Sequence, residues 1–135
     1  MGYYWEVALV LNEEAKELFD KHIDELDEDK KKDFNNFIEK KCKIYSIDGC
    51  YLYYWDYIKW FKHIPEVEVV ERFIDLIESK VEDELLDYYF ITIGESYNDV
   101  SIKGDFYINP FNIEVLQQMR FDKEKKEERT DYIGD

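Results

Sequence analysis

The sequence predicts an α+β sandwich, in which an antiparallel sheet carries helices on one of its faces. Short segments rich in β-branched and aromatic residues alternate along the 135-residue chain with segments whose apolar residues recur every three or four positions. Two of the short segments are joined by Asp48-Gly49, a strong signal for a tight hairpin. The order of strand, helix, hairpin, helix and strand is that of a ferredoxin-like βαββαβ fold, to which we expect an extra C-terminal strand to be added.

The first part of the chain predicts a strand, a long helix and a shorter helix. Residues 5–11 are apolar enough to form a strand inside the sheet. Asn12 is suited to cap a helix, which the spacing of apolar residues extends to about Leu26. The mixed-charge residues 27–33 indicate a loop or an exposed extension of this helix. Residues 34–41 then predict a short extra helix.

The aromatic run over residues 51–61 is predicted to be the central strand, and residues 43–47 the strand before it. A two-residue turn at Asp48-Gly49 sets the register between them. The predicted pairs are Ile47 with Cys50, Tyr45 with Leu52, and Lys43 with Tyr54. In this register Cys42 lies far from Cys50, which argues against a disulfide between them.

The second part of the chain predicts a second long helix and two further strands. The helix is expected to run over residues 66–81 and the next strand over residues 88–93. Residues 96–104 indicate a loop with a short extended piece at 100–102. Alternating apolar residues over 111–121 predict the last strand, although the alternation is imperfect.

Composition restricts the classes of function. The chain has 33 acidic and 18 basic residues and a formal net charge of −15, a field that repels nucleic acid and anionic membranes and favours basic protein surfaces. No apolar run approaches the roughly 20 residues of a membrane span. Two cysteines without a secretory signal indicate free thiols in a reducing compartment, the cytoplasm. We expect one domain over residues 1–122 and a charged, flexible tail over residues 123–135.

The strongest indication of function is a stripe of carboxylates on the second long helix. Residues 66–99 contain eleven acidic residues and two basic ones. Carboxylates that recur every three or four helical residues lie about 5–6 Å apart on one face, and such a row can occupy a basic nucleic-acid groove of a partner protein. The alternative is a solubilising helix surface. The predicted partner-binding residues are Glu68, Glu71, Asp75, Glu78, Glu82, Asp83, Glu84 and Asp87.

The aromatic strand offers a second candidate surface. Period-two alternation places Tyr51, Tyr53, Trp55 and Tyr57 on one face of this strand. If the sheet leaves that face uncovered, the four side chains form an apolar patch that would join two copies in a homodimer. A homo-oligomeric interaction or assembly module is therefore the alternative to a binder of basic proteins, and a small-molecule site on the same face is a third option.

No catalytic or metal-binding motif is recognisable, so we predict that the protein is not an enzyme and uses no cofactor or metal. His22 and His63 are interpreted as structural residues. Cys42 and Cys50 are eight positions apart and lack the second pair of ligands that a zinc site needs. The carboxylates that could bind a divalent cation are Asp83, Glu84, Asp87, Glu95 and Asp99, for which a solvated face is the simpler interpretation.

Three segments of the chain resemble a family of small acidic proteins found in phages and prophages. They are Trp-Asp-Tyr-Ile-Lys-Trp at 55–60, Phe-Ile-Thr-Ile-Gly-Glu at 90–95, and Asn-Asp-Val at 98–100 before Gly104. The family pattern is a W-x-x-V/I-K-W strand, a helix, and a strand ending in R-I-G-E before an acidic loop. The resemblance covers about residues 50–116. Thr92 departs from it, because a basic residue is common at that position.

The family has no established activity, so the resemblance implies a phage context and not a chemistry. Small acidic phage proteins are often inhibitors of host defence or of host nucleic-acid enzymes. Together with the carboxylate stripe, this context favours an anti-CRISPR, anti-restriction or other nucleic-acid-mimic inhibitor, which would act in the host cytoplasm by binding a basic host enzyme. An immunity protein against a basic toxin would bind through the same attraction between acidic and basic surfaces.

Overall fold

The computed structural model describes residues 3–80, 85–96, 98–106, 108–113 and 115 of the chain. The elements in chain order are β1 (Trp5–Leu11), α1 (Glu13–Asp24), α2 (Glu28–Lys41), β2 (Lys43–Ile47), β3 (Cys50–Ile58), α3 (Pro65–Glu78), β4 (Tyr88–Gly94) and β5 (Val100–Gly104). The strands form one antiparallel five-stranded sheet in the order β2-β3-β1-β4-β5. Its first four members have the ferredoxin-like order, and β5 adds a strand where a loop with a short extended piece at 100–102 was predicted. The predicted fold class is confirmed.

Side-chain caps determine where the first two helices begin. The side-chain oxygen of Asn12 accepts a hydrogen bond from the backbone N–H of Ala15 at 3.0 Å, as the sequence predicted. Asp27 caps the next helix in the same way, and α2 therefore begins at Glu28. Residues 27–33 are thus not a loop, because the capping carboxylate and the acidic first turn stabilise a helix start that apolar periodicity alone does not reveal.

The side chain of Asn12 also joins α1 to the segment before β4, where its amide nitrogen donates to the carbonyl oxygen of Leu85 at 2.7 Å. Asn12→Ala is expected to lower the free energy of unfolding by about 1–2 kcal/mol, because both bonds are lost. Urea-induced unfolding measures this loss. Asn36→Ala, at an exposed position of α2, is the matched control and is expected to cause none. Equal stabilities of the two variants would contradict the role of the cap.

The hairpin has the predicted register. Asp48 and Gly49 have φ angles of +51° and +80°, the left-handed values that a tight two-residue turn requires. The pairs between β2 and β3 are Ile47 with Cys50, Tyr45 with Leu52 and Lys43 with Tyr54, as predicted. Cys42 and Cys50 are free thiols.

The main core lies between the helices and one face of the sheet. The rings of Phe19 from α1 and Phe73 from α3 are 4.7 Å apart, and Phe19 also packs edge-on against Tyr53 at 5.2 Å. The apolar stripe of α3 is buried in this core, at Val67, Val70, Phe73, Ile74 and Ile77. Residue 81, the predicted end of this helix, lies outside the described residues.

Tyr51, Tyr53 and Trp55 of β3 lie on this helix-covered face, so the condition for an uncovered aromatic patch is not met. Tyr53 and Trp55 are only 5% and 0% exposed, and Tyr51 is half-buried. Tyr57 is 72% exposed because the register between β1 and β3 shifts beside it and its φ of +54° breaks the alternation. The apolar stripes of the helices require an apolar surface to pack on, and the aromatic side chains provide it.

The opposite face of the sheet carries a smaller core, which the described residues between Phe106 and Val115 cover. Buried strand residues there are Ala8, Val10, Tyr89 and Ile91, and the covering residues are Phe106, Phe111, Ile113 and Val115. The covering residues after β5 are not in a strand, so the strand predicted over 111–121 is wrong for residues 111–113 and 115. Its remaining residues and the predicted tail lie outside the described part of the chain.

Candidate functional site

The predicted carboxylate stripe of α3 divides into exposed and engaged residues. Glu68, Asp75 and Glu78 are exposed, and we call these three residues the α3 row. Glu71 is half-buried and accepts a hydrogen bond from the indole Nε1–H of Trp60 at 2.9 Å, so it holds the end of the aromatic run in place. Asp87 is half-buried ahead of β4. The other predicted partner-binding residues, Glu82, Asp83 and Glu84, lie outside the described residues.

Cations contact two members of the α3 row. Arg72 Nε lies 3.4 Å from Glu68 Oε1, and Lys103 Nζ lies 3.5 Å from Glu78 Oε1. Solvent-exposed pairs of this kind contribute about 0–1 kcal/mol each and exchange readily with other cations. A basic partner that desolvates these carboxylates can therefore replace Arg72 and Lys103.

A second row of carboxylates lies on α1, and the sequence prediction missed it. It consists of Glu13, Glu17, Asp20 and Asp24, which are all exposed; we call these four residues the α1 row. Their spacing of four, three and four residues places them on one helix face. Lys16 Nζ contacts Asp20 at 2.6 Å, and Lys31 Nζ lies 3.9 Å from Asp24. The same periodicity that indicated the α3 row was present here, but the six basic residues among residues 1–40 masked it.

The two rows lie on neighbouring helices of one layer. His22 Nε2 on α1 donates a hydrogen bond to the carbonyl oxygen of Val69 on α3 at 3.0 Å. The ring of His22 also contacts Phe73, with 5.8 Å between the ring centroids. His22 thus joins the helices that carry the two exposed rows.

A cavity of about 390 Å³ lies between the C-terminal end of α1, the helix α2 and the N-terminal end of α3. Its lining includes His22, His63, Glu25, Asp33, Glu66, Lys30 and Arg72. The ring nitrogen of His22 is engaged by Val69, and His63 stacks on Phe61 at 5.8 Å. Among the described residues, no group of three or more His, Cys, Asp or Glu side chains is placed to hold a metal ion.

Among the described residues, Cys42 and Cys50 have raised pKa values, and the candidate carboxylates Glu95 and Asp99 accept hydrogen bonds within the fold. Burial raises the pKa of Cys42 to about 12, and burial followed by nearby carboxylates raises the pKa of Cys50. Thiols with raised pKa values stay protonated at neutral pH and are poor nucleophiles. Glu95 accepts a hydrogen bond from the backbone N–H of Tyr4 at 2.5 Å, and Asp99 accepts one from the hydroxyl of Tyr3.

A groove of about 430 Å³ lies on the sheet face opposite the helices. Its lining is apolar apart from Glu6 and the hydroxyl groups of Tyr45 and Tyr54. The Tyr54 hydroxyl donates a hydrogen bond to Glu6, and burial together with this carboxylate raises the pKa of Tyr54. The predicted small-molecule option on Tyr53 and Trp55 does not apply to this groove, because those rings lie on the other face.

No protein-family model, curated protein or solved structure matches the chain. The phage-family resemblance therefore stays a prediction. Within the described ranges, no helix has both the length and the apolar character needed to cross a bilayer.

Proposed function

We propose that this protein binds a basic protein surface through the α1 and α3 rows and inhibits the partner by occupying its nucleic-acid-binding surface. The observation that supports the proposal is the position of two exposed carboxylate rows on adjacent helices of one layer. Carboxylates accept charge-assisted hydrogen bonds from arginine and lysine, which are the groups that bind phosphates.

The two rows together present seven exposed carboxylates. Carboxylates in a row can take the place of phosphates against the arginine and lysine side chains of a partner. The formal net charge of −15 adds long-range attraction to a basic partner and raises the rate of association.

The partner class follows from the charge and from the phage resemblance together. A basic nucleic-acid enzyme of host defence, such as a CRISPR effector or a restriction enzyme, fits both, and binding in the host cytoplasm follows from that class. An immunity protein against a basic toxin would use the same rows. In either role the protein acts by binding and needs no catalytic residue or cofactor of its own.

An affinity experiment tests the proposal. The tagged full chain is incubated with nuclease-treated bacterial lysate at about 50 mM and about 500 mM salt, concentrations at which surface charges are weakly and strongly screened. A basic nucleic-acid enzyme is expected to be retained at low salt, released at high salt and displaced by added duplex DNA. Retention of no basic protein at low salt, or retention that added DNA does not reduce, would contradict the proposal.

A further inference from the structure

β2 leaves one edge of the sheet open. It is the terminal strand of the sheet and, among the described strands, pairs only with β3. Every residue of β2 is exposed, including Ile44, Tyr45 and Ile47 at 49%, 47% and 42%. Monomeric proteins usually blunt such an edge with proline, a bulge or charged residues. β2 contains no proline, pairs without a register shift and carries a single charged residue, Lys43, at its first position.

The hairpin register determines which backbone groups point outwards. In a two-residue turn, the residues that flank the turn form a hydrogen-bonded pair, here Ile47 with Cys50. Because hydrogen-bonded pairs alternate along an antiparallel ladder, Tyr45 also points its backbone groups at β3. The N–H and C=O groups of Ile44 and Ser46 therefore point away from the sheet, and each of these residues offers a donor and an acceptor to another strand.

We propose that the occupant of this edge is a second copy of the chain, with the two β2 strands antiparallel about a two-fold axis at Tyr45. In this arrangement Ile44 of each copy exchanges backbone hydrogen bonds with Ser46 of the other. The exposed side chains of Ile44, Tyr45 and Ile47 lose contact with water at the junction.

The order of charges along the hairpin distinguishes self-pairing from other occupants. Lys41 and Lys43 stand at the start of β2, and Asp48 follows its end. An antiparallel second copy brings the basic start of each strand beside the acidic end of the other. A parallel copy would instead bring like charges together. The sequence of β2 and its flanking residues is therefore complementary to itself in the antiparallel direction.

The pairing has a consequence for the helix layer. A two-fold axis through an edge-to-edge antiparallel pair is perpendicular to the sheet, so the helices of both copies lie on the same side. Glu13 of the α1 row reaches the hairpin turn at Gly49, and the other members of the α1 and α3 rows lie on the helices, outside the strand contact. The proposed dimer therefore does not depend on the proposed function, since either copy could bind a basic partner whether or not β2 pairs with a second β2.

Disulfide trapping of the full chain tests the proposed axis, in a background that carries Cys42→Ser and Cys50→Ser. In the proposed dimer, residue 45 of one copy lies directly opposite residue 45 of the other, in a pair that exchanges no backbone hydrogen bonds. The Cα atoms of such a pair are about 4.5 Å apart, so the two thiols of Tyr45→Cys can form a disulfide. Ile47→Cys is the matched control, because its thiols would be separated by more than about 13 Å along the strands. Mild oxidation is expected to yield at least tenfold more covalent dimer for Tyr45→Cys. Equal yields from the two variants would overturn the proposal.

Sedimentation equilibrium of the protein without introduced cysteines gives the second measurement. Ser46→Pro removes an outward N–H and leaves the bonds to β3 in place, and Tyr45→Lys sets two ammonium groups against each other at the axis. Each is expected to raise the dissociation constant of the dimer at least tenfold. Ile102→Lys, on the other edge strand at a position 46% exposed, is the control and leaves the constant unchanged.

Circular dichroism identifies variants that fail to fold, and Tyr45→Lys keeps the test valid if Ser46→Pro is one of them. A dimer that persists at about 500 mM salt, as hydrogen-bonded and apolar contacts allow, agrees with the proposal. A protein that stays monomeric at all accessible concentrations overturns it. A dimer that tolerates Tyr45→Lys also overturns it, because the contact must then lie on another surface.

Discussion

Trp55→Ala is expected to lower the free energy of unfolding by about 3–5 kcal/mol, the cost of removing a fully buried tryptophan from a packed core. Trp55 has no exposed surface and lies at the centre of the aromatic cluster. Its ring centroid is 6.0 Å from that of Phe37 on α2 and 5.1 Å from that of Trp60. The residue thus joins α2 to β3, and an alanine would leave a cavity that these rigid elements cannot close.

Trp55→Phe is the matched control for this prediction. The indole N–H of Trp55 is buried without a hydrogen-bond partner in the part of the chain that the structure describes. Phenylalanine removes this donor and keeps most of the aromatic contact, so the loss is expected to stay below about 2 kcal/mol. Urea-induced unfolding of both variants gives the comparison. A loss below about 1 kcal/mol for Trp55→Ala would show that the core is less tightly packed than the structure indicates.

The elements that depend on local chemistry could be predicted from the sequence. The turn at Asp48-Gly49 requires left-handed backbone at adjacent positions, and its residues determined the whole register of the hairpin. Asn12 and the apolar stripe of α3 are likewise local signals, because a cap or a stripe is contained within a few helical turns. These signals were sufficient for the order of helices and strands along the chain, and this order indicated the fold class.

The features that depend on contacts distant in sequence could not be predicted in the same way. Alternation along β3 grouped Tyr53 with Trp55 but does not reveal which sheet face the helices cover. Tyr57 leaves the group because of a register shift against β1, which has no signal within β3 itself. Glu71 belongs to the carboxylate stripe by spacing, yet Trp60 engages it.

Charge reversal within both rows is expected to weaken binding of the basic partner more than a hundredfold. The variant combines Glu17→Lys and Asp24→Lys on α1 with Asp75→Lys on α3, all at exposed positions. Each reversal replaces an attraction by a repulsion against a basic surface, and a loss of about 1–2 kcal/mol at each position gives at least that factor in affinity. Calorimetric titration of the protein retained from the lysate measures the dissociation constant.

A second triple variant separates the rows from the total charge. Glu39→Lys, Asp56→Lys and Asp105→Lys also change exposed carboxylates, but outside both rows. Each reversal adds two units of charge, so both triple variants change the formal net charge from −15 to −15 + 6 = −9. If the rows form the contact, the second variant loses less than about tenfold in affinity, because only long-range attraction is weakened. Equal losses in the two variants would mean that the partner responds to the overall field of the protein, and the two-row site would then be wrong.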